Sequence, residues 1–227
     1  MQRASVGLAS KALVVFIKDL RLELRSKYGL NTIMMFGITT LAIVSFTLGQ
    51  SGLPTQLLAA LYWIIVFFSA TAALSHVFVR EEEAGTALTL RLTADPLAVY
   101  LGKLAFNLVL LSLMVAIVTP LFFILTDAPT EGVYPFLLIL TLGVLGLCSA
   151  TTLVAAIISK AAVKGALFAV LCFPLLIIPL MMLVSATDKV LAGRALADVA
   201  APVQGLVAFI VAMTTASLML FKFVWHE

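Results

Sequence analysis

Arg80-Glu81-Glu82-Glu83-Ala84-Gly85-Thr86 is the densest run of ionisable side chains in this sequence, and it directly follows a long apolar stretch. Two kinds of chemistry suit such a run. It can be a solvated cluster that holds the end of an apolar segment in water. It can equally be a docking element for a polar partner, with Gly85 allowing a bend and Leu88, Leu90 and Leu92 packing into a groove. The residues alone favour neither. Catalysis has no comparable candidate. No G-x-x-x-x-G-K-[ST] loop is present to cradle nucleotide phosphates, and Gly102-Lys103 lacks the rest of that motif. H-E-x-x-H, paired-cysteine and G-x-S-x-G patterns are also missing. His76 and His226 are the only histidines, and a metal site would want partners for either of them on neighbouring helices. The sequence therefore offers no catalytic residue, no metal ligand and no cofactor bound by this chain. Basic patches interleaved with aromatics are absent as well, which removes nucleic acid as a partner.

The segments that must position this run are membrane spans. Residues 28–79 contain no Asp, Glu, Lys or Arg, and the same holds for 104–126, 132–159, 165–187 and 199–221. About 20 apolar residues cross the hydrocarbon core as a helix. The four later stretches give one crossing each. The first is long enough for two, broken at Gly49-Gln50-Ser51-Gly52-Leu53-Pro54, so six crossings are predicted. Composition agrees: 63% hydrophobic, 11% charged, mean hydropathy +1.20. A soluble domain carries about 25% charged residues. Strand alternation is not seen, and backbone in lipid must bond to itself, so the spans are helices. Cys148 and Cys172 both fall inside predicted spans and read as small apolar residues. Every Asp, Glu, Lys and Arg is placed at or outside a span end, which weakens the case for a proton- or sodium-coupled carrier.

Basic residues divide unevenly between the two sides, 12 against 2. The positive-inside rule then puts both termini, loop 80–103 and loop 160–164 in the cytoplasm. Residues 8–28 predict an amphipathic helix on the membrane surface. Its apolar stripe is Leu13, Phe16, Ile17, Leu20 and Leu24, with Lys18, Arg21, Arg25 and Lys27 towards headgroups. The charges scattered through the first 29 residues leave no apolar core for a secretory signal. The organisation is thus an N-terminal cytoplasmic helix, 1–29, and a membrane domain, 30–227.

Within that domain Pro54 predicts a first-turn position, and Asp95-Pro96 an N-cap and N1 pair. Pro120 predicts a kink in the third span. Gly143, Gly146 and Ala150 predict close helix contact in the fourth. Pro174 and Pro179 predict a broken or bent fifth span, and 186–203 predicts a short external helix. Lys222-Phe223-Val224-Trp225 closes the sixth span as an interfacial anchor.

In order, Lys18-Asp19-Leu20-Arg21-x-Glu23-x-Arg25, two spans, Phe78-x-Arg80-Glu81-x-x-x-Gly85-Thr86, Asp95-Pro96, Gly102-Lys103 and the Phe173-Pro174-(x)4-Pro179 span resemble the CcmB family. That family is haem exporter protein B, the permease subunit of the cytochrome c maturation ABC complex. The resemblance covers nearly the whole chain. It implies an ABC-2-type permease architecture in a bacterial inner membrane, with ATP used by a separate cytoplasmic ATPase subunit. Arg80, Glu81, Glu82, Glu83, Gly85 and Thr86 would then form the ATPase-coupling region. It further implies a haem-handling membrane subunit, a small accessory membrane subunit and a homodimeric arrangement as partners, with haem as candidate substrate of the complex. Trp63 and Trp225 lie in separate spans, so this chain lacks the tryptophan-rich motif of the haem-handling subunit. A permease for a lipid or drug, or a membrane assembly factor that does not transport, would fit the same topology.

Overall fold

A computed structural model describes residues 7–48, 53–129, 132–159 and 164–226. Residues 49–52 of the predicted break and 160–163 of the 160–164 loop lie outside those residues. The described residues form helices throughout: α1 (Leu8–Ser26), α2 (Tyr28–Leu48), α3 (Thr55–Leu74), α4 (His76–Glu83), α5 (Ala87–Thr93), α6 (Pro96–Thr126), α7 (Val133–Ile158), α8 (Lys164–Leu191) and α9 (Leu196–His226). Six helical segments are long and apolar enough to cross a membrane: Tyr28–Thr47, Thr55–Glu83, Pro96–Thr126, Val133–Ile158, Val170–Leu191 and Ala197–Trp225. The protein is all-α, as the charge-free stretches predict.

The second crossing differs from its prediction. It does not stop near residue 79: after a break at Ser75 the helix resumes as α4 and carries Arg80–Glu83 on its last turn. Gly85 ends it in the left-handed region, φ +67. Thr86 N–H donates to Glu81 O (3.0 Å) and Gly85 N–H to Glu82 O (3.2 Å), the paired bonds of a Schellman cap. Glycine is needed there for its φ, because no atom crowds the position. Asp95 caps α6 through Leu97 N–H at 2.9 Å, with Pro96 at the first helical position. Pro54 sits one residue earlier than predicted, at the N-cap of α3.

Proline does not interrupt the long helices. Pro120 lies within α6, and α8 continues through both Pro174 and Pro179, so the predicted break in the fifth span is absent. The 186–203 segment forms no helix of its own either. The ends of α8 and α9 extend into it and turn at Gly193, φ +68.

Packing is set by a few interlocks. The Trp63 indole lies against Gly143, where an added Cβ would come within 2.1 Å of the ring. Its Nε1 donates to Thr187 Oγ1 at 2.9 Å, joining α3, α7 and α8. Tyr62 shares a hydrogen bond with Thr119 (2.7 Å) and meets Phe122 and Phe136 edge-on. Gly146 contributes less than predicted, touching Phe209 and Ile210 only at ordinary distance. Phe46, Met219 and Phe223 are strongly exposed, which suits a surface solvated by lipid rather than water.

Candidate functional site

α1 crosses α6 at Gly102. A Cβ there would lie 2.7 Å from both Ala12 O and Val15 Cβ, so only glycine permits this approach. The crossing brings an unexpected face of α1 inward. Val15, Asp19 and Glu23, spaced i, i+4 and i+8, are its buried residues, while Leu13 and Leu24 of the predicted apolar stripe are 54% and 60% exposed. Only the two ends of the stripe face outward, while Phe16 and Leu20 are half-buried against the core. The acids face the bundle.

Lys103, next to Gly102, is fully buried. Its Nζ lies 3.3 Å from Asp19 Oδ2 and 3.1 Å from Glu81 Oε2, and it donates to Val77 O at 2.8 Å. The ammonium also sits 4.8 Å from the Phe78 ring centroid. This corrects the sequence reading that all charges lie at span ends, since α6 carries Lys103 inside its apolar segment. Burial is tolerated because two carboxylates and a carbonyl take its three protons. Lys18 pairs with the same two acids, Asp19 at 3.1 Å and Glu81 by a short contact. Burial pulls its pKa down, but Asp19 and Glu81 outweigh that and hold the ammonium above the ordinary lysine range.

A second set extends the network. Arg80 donates to Ser26 Oγ at 2.6 Å and lies 3.6 Å from Glu23 Oε2. Glu23 Oε1 accepts from Leu30 N–H at 2.8 Å, satisfying a donor at the start of α2. Lys18, Arg80 and Lys103 thus face Asp19, Glu23 and Glu81, three charges of each sign. Four helices meet through these six side chains: α1, α4, α6 and the first turn of α2.

The three adjacent glutamates have different places. Glu81 is buried in the network, at 6% exposure. Glu82 pairs with Arg91 of α5, whose guanidinium also lies 5.5 Å from the Trp225 ring centroid on α9. Glu83 is exposed. α5 projects Leu88 and Leu92, one turn apart and 65% and 79% exposed, from the same end of the bundle. Gly85 and Thr86 form the turn between α4 and α5. The structure therefore gathers Arg80, Glu81, Glu82, Gly85 and Thr86 into one folded element, and leaves Pro174 and Pro179 apart from it on α8. Lys18, Asp19, Glu23 and Lys103 complete it, and sequence reasoning gave none of them that role. The available signal was Asp19 and Glu23 one turn apart on the face of Val15.

A cleft of about 540 Å³ opens onto the network among α1, α4, α5, α6 and the start of α2, and Lys18, Asp19, Glu23, Arg80 and Glu81 line it. His76 lines it and meets Tyr28 edge-on at 5.3 Å.

Six helices long and apolar enough to cross a membrane, with a charge-locked helical element at one end, define a multi-pass α-helical membrane protein. The chain belongs to the CcmB family: the family model described as CcmB protein matches residues 10–226. Comparison with curated proteins returns no match.

Proposed function

We propose that this chain is the permease subunit of an ABC transporter required for haem export or haem delivery in c-type cytochrome biogenesis. Family membership supports the class, and one structural observation carries the coupling role. α5 presents Leu88 and Leu92 to the outside, while its base is fastened through Glu82–Arg91 and the network to α1, α2, α6 and α9. An exposed apolar pair on a rigid base suits a partner pocket. Positive-inside counting puts this end in the cytoplasm, where a separate ATPase subunit would meet it.

Force applied to α5 would pass to α4 through Glu82–Arg91 and the Gly85 turn. From α4 it would reach α1 through Glu81–Lys18 and Arg80–Glu23, and α2 through the Glu23 contact to Leu30 N–H. α1, sequence residues of the N-terminal helix, then works as part of the coupling unit. Bending at Pro174 and Pro179 on α8 is the proposed way in which the far side of the bundle yields, since proline removes a helix hydrogen bond. ATP belongs to the ATPase subunit and haem to the complex. A haem-handling membrane subunit, a small accessory membrane subunit and a second copy are the proposed neighbours within the membrane.

The test is recovery of the tagged chain in mild detergent from cells making c-type cytochromes. Co-purification of an ATPase and a haem-binding membrane subunit supports the reading. Recovery with an ATPase but no haem-binding subunit would point to a permease for another substrate, and recovery with neither would favour an assembly factor.

A further inference from the structure

The charges in the wall of the cleft cancel one another. Lys18 pairs with Asp19 and Glu81, and Arg80 with Glu23. Lys103, buried behind the wall, meets Asp19 and Glu81 a second time. A ligand of either net charge would give up its hydration and find every counter-charge already taken. The hydrogen-bonding capacity that remains is of another kind. The Thr89 hydroxyl, the Tyr28 phenol and the His76 imidazole line the cleft and make no hydrogen bond to another described residue.

Most of the wall is apolar. Ala73, Val77, Phe106 and Leu110 form its inner end. Leu110 lies fourteen residues along α6 from Pro96, about 21 Å at 1.5 Å per residue, so the cleft descends from α5 to the depth of the apolar crossing. Its volume of about 540 Å³ falls in the range of small-molecule sites. A soluble polar molecule would leave the inner end unused, and a bare hydrocarbon would leave the three hydrogen-bonding groups unused. A phospholipid head brings charges that the paired wall cannot answer.

We propose that this cleft binds an uncharged single-chain amphiphile drawn from the membrane. Its hydrocarbon chain lies along Val77, Phe106 and Leu110, and a hydroxyl, ester or amide head sits among Thr89, Tyr28 and His76. Bound there, it bridges α1 and α6 to α5.

The test uses the full-length chain in phosphatidylcholine nanodiscs and a monoacylglycerol with a photoreactive diazirine near the end of its chain. Illumination and peptide mapping locate the label. The expected result is saturable labelling of α6 around Phe106 and Leu110, displaced by unlabelled monoacylglycerol. The same chain carrying a sulfate or a trimethylammonium head, charged at every working pH, displaces it on the order of tenfold less well. Thr89→Trp, at an exposed position that leaves the fold intact, lowers the labelling by a similar factor. Met219→Trp, exposed on α9 away from the cleft, leaves it unchanged. Labelling that never saturates and spreads evenly over the crossings would mean bulk lipid only. That result, equal displacement by either charged chain, or unchanged labelling in Thr89→Trp would each overturn the proposal.

Discussion

The Nζ of Lys103 lies 3.1 Å from Glu81 Oε2, joining the second turn of α6 to the last turn of α4 across the α5 segment that separates them in sequence. Asp19 of α1 completes the contact from the other side, at 3.3 Å. Lys103 thereby ties α6 to the α1–α4 pair that Lys18–Glu81 and Arg80–Glu23 already join.

Replacing Lys103 by Met should cost roughly 3–5 kcal/mol, because Asp19 and Glu81 would be left buried with Lys18 alone. Adding Asp19→Asn to Lys103→Met should recover part of the loss, since one of the stranded charges is removed. Thermal unfolding in detergent of the two single variants and the pair gives the cycle. Strict additivity would mean that the two side chains do not act together.

Gly102→Val should lift α1 from the bundle, as any Cβ at that position meets Ala12 O at 2.7 Å and the backbone cannot swing aside as a side chain can. Val15→Cys, at 6% exposure in the wild-type background, should label slowly, and fast when Gly102→Val is added. The native Cys148 and Cys172 are both buried and give a low background. Equal labelling rates in the two backgrounds would contradict the close crossing.

Docking of α1 should fail on the alkaline side. Lys18 has its pKa raised above 10.5 in the folded chain by Asp19 and Glu81, after opposing burial. A raised folded value means that its contribution is fully present below 10.5 and fades as pH climbs through the folded pKa. Protease protection of α1 should therefore be flat through neutral pH and fall only above the lysine range. Lys18→Gln should lower protection throughout and flatten that alkaline step. A step of the same size in the variant would assign it to another group.

Crossings and helical ends were legible because they depend on local chemistry. Charge-free stretches of span length, the Asp95-Pro96 cap and the Gly85 turn each act within a few residues. What escaped was contact between segments. Asp19 and Glu23 read as ordinary parts of an amphipathic helix, and nothing local shows that their face meets Gly102. Lys103 reads as a span-end lysine until Asp19 and Glu81 arrive from helices far away in sequence. The three glutamates look equivalent in a string. On a helix, successive residues are about 100° apart, so Glu81 points into the bundle while Glu83 faces out. Of the two outcomes that Pro174 and Pro179 suggest, a break and a bend, α8 excludes the break. A proline breaks a helix in water, but in an apolar crossing the remaining backbone has no better partner than the helix itself.

The coupling role of α5 is the central claim, and ATPase recovery by Leu88→Glu with Leu92→Glu tests it most directly. Both side chains are exposed and outside the charge network, so the variant should insert and melt like wild type. The account predicts that the tagged variant, purified in mild detergent, loses the ATPase subunit at least tenfold relative to wild type while membrane partners stay bound. Undiminished ATPase recovery by a folded variant would contradict it.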